Sequence, residues 1–257
     1  MVASSSGLVS GFLGNDIEAT FRKEGLDNFR SLWNVNLQWF EAPNQRRKGW
    51  SGVCRMTLPG RTSSFYIKRQ ENHNTKTLLH PLSGIPTYRR ELCNIQRFHA
   101  NEIPTVTPIY YGERIISGKH QAILITVALD GYLDIGSINR QGNDSRTIPA
   151  LQELGKVVRK MHDRGMAHYC LYPNHSFAKI NGRAANIRLI DLEKARRDIL
   201  ESRRRFKDLE CFMRHTEAFS LEAREKFISS YFSAGSVLSS EKVIRQRLDY
   251  LMTRPQR

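Results

Sequence analysis

The sequence predicts an α+β fold with a small β-rich N-terminal lobe and a mainly helical C-terminal lobe. Three observations carry this reading. Strand-like runs with a single helix fill the first half, a hairpin pattern surrounds Asn181-Gly182, and the chain beyond Asp191 reads as helix to its end. With 257 residues and 40% hydrophobic content, the chain can bury a substantial core.

The elements follow in order. Residues 1–34 read as an N-terminal arm or short helix. Val35 to Phe40 reads as a strand leading into a loop, Arg46-Arg47-Lys48-Gly49-Trp50-Ser51-Gly52. Val53 to Leu58 and Phe65 to Arg69 form the next two strands, parted by the breaker Pro59-Gly60. Tyr88 to Ala100 spaces Leu92, Ile95 and Phe98 as an amphipathic helix does, with Glu91 and Arg97 on other faces. Strand-like composition returns over Val106 to Ile116 and Gln121 to Val127. A lobe boundary near Asp130-Gly131 separates an N-lobe of 35–130 from a C-lobe of 131–257.

In the second half, Leu151, Leu154, Val157, Val158 and Met161 mark a helix that stops near Gly165. Phe177 to Ile180 and Ile187 to Ile190 flank Asn181-Gly182, a pair suited to the positive φ angles of a tight hairpin turn. Three helical segments follow, at 198–215, 221–233 and 239–252.

Charge narrows the function classes. A formal charge of +15 implies attraction to polyanions: nucleic acid, an anionic membrane face or a phosphorylated ligand. Between residues 44 and 69 stand Arg46, Arg47, Lys48, Arg55, Arg61, Lys68 and Arg69 with no acid among them, and Lys194 to Lys207 carries a further basic run. No zinc-finger spacing, RNP-like aromatic motif or basic region with heptads accompanies the charge, so a nucleic-acid reader is the least supported class. No apolar run approaches the roughly 18 residues that span a bilayer, and the first residues lack the positive charge of a secretory signal, which points to an intracellular protein. Cys54, Cys93, Cys170 and Cys211 lie far apart without metal-ligand spacing and read as reduced thiols.

Several residues could carry chemistry. Alternation in Phe65-Tyr66-Ile67-Lys68 puts Lys68 on the face opposite Phe65 and Ile67, where an ammonium could hold nucleotide phosphates; Glu91 on the next helix could orient it. Gly49 and Gly52 could let backbone N–H groups approach phosphates. Each feature also has a bland reading, as an exposed lysine, a solvated helix face or a hairpin turn. For Asp191 the bland reading is a helix N-cap.

Taken together, Gly49 and Gly52, Lys68, Glu91, the stretch Met161 to His168, Tyr172, His175 and Ile190-Asp191-Leu192 resemble the Kdo/WaaP lipopolysaccharide kinase family over about residues 45 to 215. His168 to His175 is most similar to its InaA branch. The resemblance implies a protein-kinase-like fold and ATP- and Mg²⁺-dependent phosphorylation of a sugar, Kdo or heptose, on the lipopolysaccharide inner core. It implies a cytoplasmic protein, peripheral at the anionic inner membrane, with the run from Lys194 to Lys207 as a contact for anionic groups. Lys68 would contact the nucleotide phosphates, Glu91 would pair with Lys68, and Asp191 would bind Mg²⁺. Gly49 and Gly52 fit the second and third glycines of the phosphate loop, while Arg47 replaces the first and Cys54 a valine. His168 takes the histidine position of the catalytic loop, and His175 the place of a second metal-binding Asn, where a hydrogen-bond donor to phosphate or substrate is expected.

Cys170 stands at the place of the catalytic Asp. A thiol of ordinary pKa is mostly protonated at neutral pH and orients a sugar hydroxyl poorly, so either activity is reduced or His175, His168 or a water compensates. A pseudokinase working through nucleotide or partner binding is therefore the alternative function.

Overall fold

A computed structural model describes residues 11–253 except 47–48, 78, 143, 183 and 236–239. Arg47, Lys48 and the first ten residues of the expected arm lie outside the described residues. The chain divides into two compact units, Met1–Ile95 with Val106–Asp130, and Gln96–Thr105 with Gly131–Arg257.

The first unit runs β1 (Gly11–Phe12), α1 (Asn15–Lys23), α2 (Phe29–Asn34), β2 (Trp39–Arg46), β3 (Gly49–Thr57), β4 (Ser64–Glu71), β5 (Asn74–Thr75), β6 (Ile85–Pro86), α3 (Thr87–Ala100, whose last turn belongs to the second unit), β7 (Pro108–Ile116) and β8 (Lys119–Val127). Six strands form an antiparallel sheet in the order β1-β7-β8-β4-β3-β2. Alternation along β4 sends Phe65 and Ile67 into a core with Cys54, Met56, Ile109, Tyr110, Ile123 and Ile125. Phe21 of α1 and Leu32 of α2 are fully buried in the same core, so the expected arm contributes to the packing of this unit.

Two expectations here are corrected. The strand expected from Val35 begins only at Trp39, because α2 continues to Asn34 and Val35 serves as its C-cap. The expected loop over Gly49 to Gly52 is the start of β3, with Gly49 opposite Arg46 and Trp50 opposite Glu71. Strand β2 lies at the sheet edge and its register shifts on both sides of Glu41. Pro43, which has no N–H to give a ladder, fits such a place.

The second unit runs β9 (Leu133–Asp134), α4 (Ile135–Arg140), α5 (Asp144–Asp163), β10 (Met166–Ala167), a 3₁₀ turn at Pro173–His175, β11 (Ser176–Asn181), β12 (Ala184–Leu189), β13 (Arg196–Arg197), α6 (Glu201–Arg214), α7 (Leu221–Ser233) and α8 (Glu241–Thr253). Helix α5 begins earlier than its apolar spacing suggests and carries Pro149 inside it. It buries Leu151, Leu154, Val158 and Met161, while Phe212 of α6 meets Phe227 of α7 with ring centroids 4.5 Å apart. Arg159, nearly wholly buried, bonds Asp163 and faces the Tyr231 and Phe232 carbonyls at the end of α7, which answers both its charge and those backbone acceptors.

The hairpin forms one residue away from the expected turn: Asn181 still pairs with Ala184, and Gly182 takes a φ of +62°. Thr105 forms a parallel bridge to Leu189 and donates to its carbonyl at 2.6 Å, anchoring the end of β12 just before Asp191.

Candidate active site

In the first unit, Lys68 meets Glu91 because two elements are locked together. Gln70, two residues beyond Lys68 on β4, accepts from the Tyr88 N–H in the first turn of α3 at 2.9 Å, and Thr87 donates to the His73 carbonyl at 2.8 Å. One turn further along α3, Glu91 faces β4, and its Oε1 lies 2.5 Å from Lys68 Nζ. The Glu91 side chain is 2% exposed and that of Lys68 19%. This excludes the solvated-face reading of Glu91, because a carboxylate removed from water requires a partner.

Gly49 and Gly52 have packing reasons of their own. A Cβ on Gly49 would lie 2.1 Å from the Glu71 carbonyl oxygen, and one on Gly52 would lie 2.7 Å from the Trp39 ring. Both glycines therefore admit a close neighbour.

In the second unit, His168, Cys170, His175 and Asp191 are joined by one set of bonds. The His168 ring presents Nε2 to the Ile190 carbonyl at 3.0 Å, and the Ile190 N–H donates to the His175 carbonyl at 3.0 Å. Both backbone groups of the residue before Asp191 are thus held by His168 and His175. A carbonyl only accepts, so Nε2 of His168 carries the proton; burial pushes its pKa down and keeps the ring neutral. His175 faces the Cys170 carbonyl with Nδ1 at 2.9 Å and Asp191 Oδ2 with Nε2 at 3.4 Å. Asp191 does not cap a helix, since Leu192 to Lys194 form turn and bend, and its φ of +57° is costly for a non-glycine residue.

Cys170 is 4% exposed. The Cys211 thiol beside Tyr172 and burial of the hydroxyl push the Tyr172 pKa up to about 12, and burial raises that of Cys211 to about 11. The thiol at the expected base position is buried inside the fold.

A residue the sequence reading missed organises this loop. Asp208 on α6 is fully buried and accepts from the backbone N–H of His168 at 2.6 Å and of Tyr169 at 2.7 Å, with His162 Nε2 at 3.2 Å. Burial lowers the pKa of His162 despite the Asp208 carboxylate, so the neutral ring donates from Nε2 to Asp208 and accepts the Tyr231 hydroxyl at Nδ1, 2.8 Å away. The signal was available: Asp208 lies beside Leu209 and one turn before Phe212, an acid on the apolar stripe of a basic helix. Tyr169, at φ +61°, donates its hydroxyl to Asp198, and Arg196 covers its ring at 3.8 Å.

The basic run from Lys194 to Lys207 is only partly a surface feature. Arg204 is buried against the His162 and Asp198 carbonyls, and Arg205 bonds Asp163, Glu201 and the Tyr231 hydroxyl. Among the described residues, no group of three His, Cys, Asp or Glu side chains could hold a metal, and no helix is long and apolar enough to cross a membrane.

Comparison with known proteins agrees with this architecture. The model of the lipopolysaccharide kinase (Kdo/WaaP) family matches residues 30–231. Protein InaA of Escherichia coli K12 is 31% identical over 177 residues, covering 66% of this chain and 80% of its own. The lipopolysaccharide core heptose(I) kinase WaaP of Pseudomonas aeruginosa is 26% identical over 226 residues, covering 79% of this chain and 84% of its own. A solved structure of WaaP in complex with acyl carrier protein superposes with a TM-score of 0.63 at 18% identity, over 90% of this chain and 95% of that one, which shows a shared kinase-like fold. By sequence, the chain belongs to the Kdo/WaaP lipopolysaccharide kinase family.

Proposed function

We propose that this protein uses ATP and a divalent metal ion to phosphorylate a sugar hydroxyl, of Kdo or heptose, on the lipopolysaccharide inner core at the cytoplasmic face of the inner membrane. The observation that carries the reading is the buried Lys68–Glu91 pair. An ammonium held by a 2% exposed carboxylate is positioned to meet the nucleotide phosphates. Asp191 and His175 offer an oxygen and a nitrogen donor to a metal ion, which when bound would neutralise charge on the β- and γ-phosphates. His168, through Ile190, and Asp208, through two backbone N–H groups, hold the loop that carries these donors.

Phosphoryl transfer depends mainly on positioning and electrostatics, so a protein without a carboxylate at Cys170 keeps most of what the chemistry needs; a general base contributes roughly 10²- to 10⁴-fold. The buried Cys170 thiol favours one competing reading, a pseudokinase that binds nucleotide and does not transfer phosphate.

Phosphate transfer from ATP to purified core oligosaccharide decides the matter when compared for wild type, Asp191→Ala and Cys170→Asp. Transfer by wild type that is lost in Asp191→Ala supports the kinase. Nucleotide binding with transfer only in Cys170→Asp supports the pseudokinase. Equal rates in all three proteins refute the site.

A further inference from the structure

We infer that one end of the six-stranded sheet docks on an anionic phospholipid bilayer, with Leu79, Leu82, Ile115 and Ile116 entering the lipid and the cations around them meeting the headgroups. The inference rests on the membrane-bound acceptor of the reading above. A lone exposed leucine means little, but here Leu79 is 88% exposed, Leu82 90%, Ile115 72% and Ile116 47%, on two neighbouring loops.

The sheet brings the two loops to the same end. Between β7 and β8 the turn is Ser117-Gly118, both at positive φ, so Ile115 and Ile116 stand at its tip. His120, opposite Ile115, donates its N–H to the Asn72 side chain at 2.8 Å, and the Asn72 N–H donates to the His120 carbonyl at 2.8 Å. Two residues after Asn72 comes β5, from which the chain runs through Leu79 and Leu82 and returns in β6. That loop is bonded to itself: the His80 N–H donates to the Thr77 carbonyl at 3.1 Å, the Gly84 N–H to the His80 carbonyl at 3.2 Å, and Asn74 Nδ2 to the Ser83 carbonyl at 3.2 Å. These bonds hold the loop in shape while its leucines face outward.

Charge then selects the partner. The start of β3 joins this end, because Gly49 lies opposite Arg46 and against the Glu71 and Asn72 backbone. The three stretches that meet here, residues 42–52, 72–90 and 114–121, contain no Asp or Glu. Arg46, Lys76 and Lys119 are exposed among them. The bordering acids are already taken, Glu71 by Lys119 and Gln121, and Glu113 by Arg89 and Tyr111. Aliphatic tips ringed by cations match a lipid surface, whose acyl boundary takes the apolar side chains while its phosphates take the ammonium and guanidinium groups.

The test uses the full chain with vesicles of phosphatidylglycerol and phosphatidylcholine, and with vesicles of phosphatidylcholine alone. Wild type is expected to float with the anionic vesicles, less so at raised salt, and the double variant Leu79→Ser/Leu82→Ser to bind about tenfold more weakly. Positions so exposed tolerate the exchange without loss of the fold. Ile115→Ser, on the other loop, is expected to weaken binding in the same direction. Transfer from ATP to soluble core oligosaccharide should be equal in wild type and double variant, while transfer to lipopolysaccharide held in the vesicles falls with binding. Equal flotation of wild type and double variant overturns the inference, as does equal binding of wild type to both kinds of vesicle. Self-association of wild type that the double variant abolishes, without vesicle binding, overturns it in favour of a second copy of the chain. Wild type that floats as expected and transfers phosphate to neither acceptor overturns the kinase reading alone.

Discussion

Replacing Asp208 with Asn tests whether one buried carboxylate holds the loop that begins at His168 and Tyr169. Its Oδ2 accepts from the His168 N–H and faces His162 Nε2, while Oδ1 accepts from the Tyr169 N–H. An amide of the same shape removes the charge from all three bonds and turns one oxygen into a donor facing a donor. Hydrogen bonds to a charged group contribute about 1.5–3 kcal/mol each and neutral ones roughly half of that. Two weakened bonds and one lost bond then amount to a destabilisation of about 3–5 kcal/mol, a large share of the stability of a domain. Tyr169 adds a local signature, because its φ of +61° is held at both ends, by Asp208 on its N–H and Asp198 on its hydroxyl. Urea unfolding should show the loss of stability, and hydrogen exchange should show lost protection at the His168 and Tyr169 amides beyond that at amides of β7 and β8. A variant within about 1 kcal/mol of wild type, with those two amides still protected, refutes the assigned role.

Further predictions follow from the same geometry. Native His162 stays neutral because burial lowers its pKa, while the unfolded chain takes up a proton below about pH 6.5. Its contribution to stability is full above that pH and declines on acidification toward the native pKa, by about 1.4 kcal/mol per pH unit. Between pH 7.5 and 5.5, urea unfolding of wild type should lose about 1.4 kcal/mol more than His162→Gln over the whole range, and parallel pH dependences would contradict the neutral assignment. Lys68→Met leaves Glu91 buried without its ammonium and should cost about 3 kcal/mol; adding Glu91→Leu should recover part of the loss, and a double variant no more stable than the single would argue against the pair. Gly49→Ala drives a Cβ onto the Glu71 carbonyl and should destabilise by about 2 kcal/mol in the same assay; a neutral effect would mean that β3 shifts freely there.

Local periodicity explains what was legible in the sequence. The alternation of Phe65 and Ile67 against Tyr66 and Lys68, the apolar spacing of Leu92, Ile95 and Phe98, and the positive φ of Gly182 near the hairpin turn each depend on residues a few positions apart, so the pattern carries its own geometry. Lys68 and Glu91 were legible as a pair because a strand lysine and a helix carboxylate in this order match the family pattern. Folding brought them to within 2.5 Å through Gln70 and Tyr88, contacts that no periodicity announces.

What the sequence left open depends on groups that meet only after the chain has folded back on itself. Asp208 reads as one more charge on a basic helix until the amides of His168 and Tyr169 arrive beneath it from forty residues upstream. Arg204 and Arg205 looked like members of a solvated patch and instead satisfy buried carbonyls, carboxylates and a hydroxyl. Gly49 and Gly52 looked like a loop, and their reason emerged only when Glu71 and Trp39 crossed close to them. The physical cause is common to these cases: burial of a polar or charged group is costly unless its partner is in place, and that partner is supplied by tertiary packing, not by sequence neighbours.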